Sequence, residues 1–217
     1  MGNLIKAVIF DMDGVISDTQ VLHSKTEEAI LNDYGISISA DEVTSRFAGS
    51  TDKEMFRTIF ADYKKEPANL EEMVEKKWRT ITDFAKGNVR EVPGTREFID
   101  KLHSKGFKLA VASASRKTFI DLVLNELKIN SKFHVIASSE EVAKGKPDPA
   151  VFLLAAERLR VLPEECVVIE DGLNGMTAAK RAGMRCIGLT TTHGERHEYP
   201  ADILVKNLLD VPMEFFL

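Results

Sequence analysis

Asp11 and Asp13 lie one residue apart in AVIFDMDGVISDT, residues 7–19, where an apolar run breaks directly into two acids and a glycine. Three other stretches carry groups of the same chemical interest. The run at 107–113 leads into Ser113, Ala114, Ser115 and Arg116, and the run at 166–170 ends in Glu170, Asp171 and Gly172. KGKPDP at 144–149 carries Lys146 just ahead of Asp148 and Pro149, which suit the N-cap and first position of a helix. Taken singly, each has a plain structural explanation: a capping aspartate, a turn serine, a solvated lysine. Together they supply one rim with four acids, a hydroxyl and an ammonium. Two like charges about 4 Å apart repel by about 4 kcal/mol at an effective dielectric of 20, so such a rim requires a cation. An all-oxygen set suits Mg²⁺, which takes one or two carboxylates and keeps several waters, and Lys146 adds one further positive charge.

A rim of this kind forms only if strands deliver these residues side by side. Residues 4–10 are too short for a helix, rich in β-branched side chains and closed by a turn, which predicts a buried strand. From about residue 92 the pattern alternates, with strands predicted at 107–113, 133–138, 166–170 and 185–189. Between them, Phe98, Ile99 and Leu102, then Phe119, Ile120, Val123, Leu124 and Leu127, then Val151, Phe152, Ala155, Ala156 and Leu159 follow i, i+3, i+4 spacing. Strands alternating with helices of this length predict a parallel sheet covered on both faces, with ligands bound outside the carboxyl ends of its strands. Residues 19–86 break the rhythm. They hold no strand pattern and at least two amphipathic helices, the clearer one carrying Leu70, Met73, Val74, Trp78, Ile81 and Phe84. The chain thus leaves the sheet after one strand, builds a helical unit and returns through AKGNVREVPG; an insertion on two linkers can hinge over the rim.

Composition narrows the partners. Of 217 residues, 44% are hydrophobic, enough for a sizeable core, and Lys+Arg 29 against Asp+Glu 34 gives a net charge of −5, so no nucleic acid is expected. No apolar run reaches the roughly 20 residues of a membrane span, and MGNLIKAVIF lacks the features of a signal peptide. Gly2 leads into a strand rather than an acylation signal. Cys166 and Cys186 sit inside apolar runs without metal spacing, as reduced core residues of a cytoplasmic protein. Lys77 and Trp78 stand in the helical insertion as candidates for specificity roles, but Trp78 falls on the apolar stripe and reads as core, and Lys76 and Lys77 read as a solvated helix face. His193 and His197 have the spacing of helical metal ligands but stand in loop-like sequence; His103 and His134 have no evident partner. A monomer is expected.

DMDGVISDT, VASAS, KGKPDP and VVIEDGLNG resemble, in order, the four motifs of the haloacid dehalogenase-like hydrolase superfamily, and the helical insertion resembles the small cap of its first subclass. VASAS and the DTxxxH run ending at His23 make the β-phosphoglucomutase-like phosphatase group the nearest likeness. The resemblance implies an α/β fold: a Rossmann-like parallel sheet core with helices on both faces, formed by 1–17 and 88–217, plus a small all-helical cap domain at 18–87. It implies that Asp11 is a nucleophile that takes the phosphoryl group and that Asp13 is general acid and then base, with neighbours that raise its pKa. Ser113 and nearby backbone N–H groups would hold phosphate oxygens, and Lys146 would offset charge between nucleophile and phosphate. Mg²⁺ would lie on Asp11, Asp171 and the backbone carbonyl of Asp13, with Glu170 reached through water. Gly14 fits the sharp turn after the acids. Asp13 also separates chemistries within the superfamily, since the dehalogenases lack an acid there.

The implied substrate is a small phosphorylated metabolite, contacted by His23, Gly49, Ser50, Lys53, Ala114, Ser115 and Arg116. The mutases carry an arginine for a second phosphate in the short cap loop; AGSTDKEMF has Asp52 there, and the adjacent Lys53 lacks the bidentate fork of arginine. Hydrolysis of a phosphate monoester, such as a sugar phosphate, is therefore expected ahead of a β-phosphoglucomutase-type reaction. A non-catalytic α/β binding module is the reading from another class.

Overall fold

The computed structural model describes residues 4–67, 69–190 and 199–216, so Gly2, His193 and His197 lie outside the described residues. A short strand with no polar side chain is stable only when covered on both faces. Accordingly β1 (Ala7–Phe10) is wholly buried at the centre of a six-stranded sheet. The other strands are β2 (Lys108–Ser113), β3 (Val135–Ser138), β4 (Cys166–Glu170), β5 (Arg185–Leu189) and β6 (Ile203–Val205). They run in the order β3-β2-β1-β4-β5-β6 with every neighbouring pair parallel.

Side chains alternate across this sheet. Val8, Phe10, Leu109, Val111, Val167 and Ile169 pack with α5 (Thr95–Ser104) and α6 (Lys117–Glu126) on one face. Ala7, Ile9, Ala110, Ala112 and Val168 pack with α7 (Ala150–Leu159) and α8 (Leu173–Arg181) on the other. Cys166 and Cys186 belong to that second layer as buried free thiols. The helix over 150–159 starts one residue later than its sequence predicts: Pro149 is the N-cap, and the Asp148 carboxylate accepts the Ala150 N–H at 3.0 Å. Strand β6 was not predicted. With three residues, one of them the exposed Leu204, it offers no period to read.

Between β1 and α5 the chain forms four helices: α1 (Gln20–Asp33), α2 (Ala40–Phe47), α3 (Asp52–Asp62) and α4 (Leu70–Ala85). Ser39, Thr51 and Asn69 fix the starts of the last three, each accepting the backbone N–H of a glutamate three residues on. Met73, Val74, Trp78 and Ile81 form the buried stripe of α4, while Phe84 at its end is exposed. The departing and returning strands of chain lie side by side: the Asp18 N–H donates to Arg90 O at 2.9 Å and the Val92 N–H to Ile16 O at 3.0 Å. Among the described residues no helix is long and apolar enough to cross a membrane.

Candidate active site

The strand order reverses at β1, whose neighbours β2 and β4 lead away in opposite directions. This is the switch point where an open α/β sheet offers a crevice at its carboxyl edge. Asp11 follows β1 directly and its N–H donates to Ile169 O at 2.9 Å, continuing the ladder and setting it beside Glu170. Lys146, fully buried, bridges the two: Nζ donates to Asp11 Oδ1 at 2.6 Å and to Glu170 Oε1 at 2.6 Å. Glu170 Oε2 accepts the Gly172 N–H at 2.6 Å. A Cβ on Gly175 would fall 1.7 Å from Glu170 Oε1, so the second glycine of DGLNG leaves room for this carboxylate. Asp11, Glu170 and Asp171 each offer an oxygen within 4.8 Å of the others.

Gly14 takes φ +86° and donates its N–H to Ser17 O at 2.8 Å, closing a turn that brings Asp13 back over the crevice. Asp13 Oδ1 accepts from the Thr19 hydroxyl. Its Oδ2 accepts from Ser115 Oγ at 2.7 Å and Ser113 Oγ at 3.3 Å. His23 Nε2 lies 3.3 Å from Asp13 Oδ1 but without the alignment of a hydrogen bond. The His23 ring is set edge-on to Trp78 and Phe119, each with centroids 5.5 Å away.

These surroundings push the two aspartates apart. Burial is the largest influence on Asp11; Lys146 pulls its pKa down, but Glu170 and Asp13 add to burial and it stands at about 8. Burial acts on Asp13 in the same sense, yet the His23 imidazole and the hydroxyls of Thr19 and Ser115 outweigh it and hold this carboxyl well below the usual range. The expectation that neighbours raise Asp13 is therefore corrected. Its neighbours are the His23 ring, which acts through its electrostatics, and two hydroxyl donors, and both favour the carboxylate.

His23, Gly49, Ser50, Ala114 and Ser115 line one cavity with Asp11 and Asp13. Asn174 of α8 ties the loop before α3 over it, with Nδ2 donating to Ala48 O at 3.2 Å and Ser50 Oγ at 3.3 Å. Lys53 and Arg116 face a separate outer groove. Lys53 pairs with Glu71 at 2.6 Å, and the Arg116 guanidinium pairs with Glu75 and lies 5.4 Å over the Trp78 ring. Lys77 is not solvated. It is 3% exposed and lies between Glu27 and Asp52 at the cavity wall, because position 77 falls on the same stripe as 74, 78 and 81. Lys76 stays at the surface, paired with Asp33 at 2.7 Å. His134 has a partner after all, its Nδ1 accepting the Leu109 N–H at 3.1 Å. Thr19, Glu27 and Gly175 are site residues that sequence reasoning missed.

The donor set fits a hard divalent cation: three buried carboxylates, each with an oxygen within 4.8 Å of the others, and Asp11 driven toward protonation by burial first and by the charges of Glu170 and Asp13 besides.

The family model described as haloacid dehalogenase-like hydrolase matches residues 8–189, and the chain belongs to that family. It is 35% identical over 186 residues to a phosphorylated carbohydrates phosphatase of Thermotoga maritima, covering 84% of each chain. It is 33% identical over 217 residues to a β-phosphoglucomutase of Bacillus subtilis, covering 97% of this chain and 93% of that one. Among solved structures, a β-phosphoglucomutase of Clostridium difficile superposes with a TM-score of 0.84 at 27% identity, over 98% of this chain and 95% of that one.

Proposed function

We propose that the protein is a Mg²⁺-dependent phosphatase that hydrolyses a small phosphate monoester, a sugar phosphate, through an aspartyl-phosphate on Asp11. The observation that carries this reading is the pair of buried acids with opposite surroundings: Asp11 bonded to Lys146, Asp13 ringed by donors. Asp11, Asp171 and the backbone carbonyl of Asp13 would hold the metal, with Glu170 contributing through water. Bound there, Mg²⁺ offsets the charge of the transferring phosphoryl group and of the carboxylates around it.

The Asp11 carboxylate attacks phosphorus as the bond from phosphorus to the ester oxygen breaks, and Asp13 protonates the departing oxygen. Asp13 is ionised before substrate arrives, and a phosphate dianion beside it raises its proton affinity. In the second step Asp13 takes a proton from water as that water attacks phosphorus, which releases phosphate and restores Asp11. Lys146 keeps the Asp11 oxygen oriented and lowers the repulsion between nucleophile and phosphate. Ser113 and Ser115 hold Asp13 in place, with the Ser115 N–H in turn donating to Ser113 Oγ at 3.0 Å, and Ala114 lines the cavity where phosphate oxygens would lie.

Residues 18–87 act as a cap domain on a core of 1–17 and 88–217. The cavity between them, about 50 Å³, holds a few waters but not a sugar phosphate, so the helices must swing away on the paired linkers for substrate to enter. Two buried, unpaired thiols suit the cytoplasm, where the protein works as a monomer.

The mutase reading rests on the Bacillus subtilis relative. Against it, Arg116 is engaged by Glu75, and Asp52, the first residue of α3, occupies the position where the mutases keep an arginine. The test is to supply β-glucose 1-phosphate with a catalytic amount of glucose 1,6-bisphosphate and follow both products. Free phosphate should form faster than glucose 6-phosphate; the reverse order contradicts hydrolysis.

Metal binding should be linked to pH. Below about 8 the Asp11 carboxyl is protonated in the metal-free protein, so Mg²⁺ must displace a proton. Its apparent affinity should rise about tenfold per unit between about pH 6 and 8 and level off above. Titration calorimetry in two buffers of different ionisation heat reads the released proton; affinity independent of pH contradicts Asp11 as a ligand.

A further inference from the structure

Glu27, Asp52 and Lys77 are left over from the chemistry above, although all three line the cavity that holds Asp11 and Asp13. Lys77 Nζ lies 2.5 Å from Glu27 Oε1 and also pairs with Asp52 Oδ1. Asp52 Oδ2 accepts the indole N–H of Trp78 at 2.6 Å, which fixes its orientation. Glu27 is 5% and Lys77 3% exposed, so solvent screens these charges weakly. The lysine keeps Asp52 ionised. One ammonium therefore meets two carboxylates, and this cluster on the cavity wall carries one negative charge in excess.

The other basic groups nearby are shared with other acids. Arg116 feels the Asp52 charge but pairs with Glu75 and stands 3.7 Å from Glu140, Lys53 pairs with Glu71, and His23, which also favours the Asp52 anion, lies 3.3 Å from Asp13. A second phosphate entering this end of the cavity would meet like charge with little water to screen it. A hydroxyl would instead find carboxylate oxygens with lone pairs to spare.

Resting on the phosphatase reading, we infer that Asp52 and Glu27, sharing Lys77, are specificity residues that select substrates bearing a single phosphate and a neutral, hydroxyl-rich far end, and reject bisphosphates. Each carboxylate contributes the same excess charge, so Asp52→Asn and Glu27→Gln should have the same effect, since either leaves Lys77 balanced by one acid. Such discrimination works through repulsion of the wrong ligand rather than tighter grip on the right one.

The experiment measures competition by fructose 6-phosphate and by fructose 1,6-bisphosphate against p-nitrophenyl phosphate turnover with Mg²⁺. It uses the wild type, Asp52→Asn and Glu27→Gln, with melting curves to show that each is folded. The ratio of inhibition constants is taken within each protein, so a change in a variant's own turnover cancels. The wild type should favour the monophosphate by at least about tenfold, and each variant should shrink that ratio severalfold. An equal ratio in the wild type, competition by neither sugar, or an unchanged ratio in a folded variant overturns the inference and leaves the phosphatase reading intact. A wild type that turns over no aryl phosphate removes both. If one variant does not fold, the other decides alone.

Discussion

Asp11→Asn should lower phosphate release by at least about 10⁴-fold at saturating Mg²⁺, the scale seen when a nucleophile is removed from a site that acts as a unit. Asparagine keeps the size and planarity of the side chain but cannot attack phosphorus as an anion. Lys146 loses one of its two carboxylate partners and keeps Glu170 at 2.6 Å, so the buried ammonium is not stranded. The carboxyl removed is also one that burial disfavours as an anion, with its pKa at about 8 in the absence of metal. The variant should therefore melt no lower than the wild type at neutral pH without Mg²⁺. Phosphate release and a melting curve on the same preparation check both parts. Residual turnover within about 100-fold of the wild type would remove Asp11 from the nucleophile's role.

Asp13→Asn should cost about 10²- to 10⁴-fold, the range for general acid–base catalysis, and the loss should depend on the leaving group. An alkoxide needs its proton as the bond to phosphorus breaks; p-nitrophenolate departs without one. Sugar phosphate turnover should thus fall further than aryl phosphate turnover. Thr19 and Ser115 donate to different oxygens of Asp13; the amide keeps one oxygen to accept from one hydroxyl and can donate its NH2 to the oxygen of the other, so the turn at Gly14 should survive. Steady-state kcat/KM for the two esters gives the comparison. Equal losses would mean that Asp13 positions other groups and transfers no proton to the leaving oxygen.

Residue order along the chain was enough to read five of the six strands and the polar residues that follow three of them. Apolar runs of the right length end in Asp11, Ser113 and Glu170, and helical spacing between the runs leaves a parallel arrangement as the way to cover both faces. Electrostatics read less well, because pKa direction depends on which atoms point at a carboxylate. Asp13 and Asp11 share a motif and burial, yet one faces hydroxyls and an imidazole and the other faces Glu170. Lys77 shows the same limit. Beside Lys76 it reads as one of two surface charges. Its position on the α4 stripe was a usable sign of burial, but its partners Glu27 and Asp52 come from two other helices. The cavity wall that they form has no counterpart in any single stretch of sequence.

Crystals of the wild-type protein grown with Mg²⁺ and beryllofluoride, a mimic of the phosphoryl group, test the central claim most directly. A tetrahedral beryllium bonded to a carboxylate oxygen of Asp11 is predicted, with Lys146 still in contact and Mg²⁺ about 2.0–2.1 Å from oxygens of Asp11 and Asp171. Beryllium bonded to another carboxylate, or Mg²⁺ bound away from Asp11 and Asp171, would contradict it.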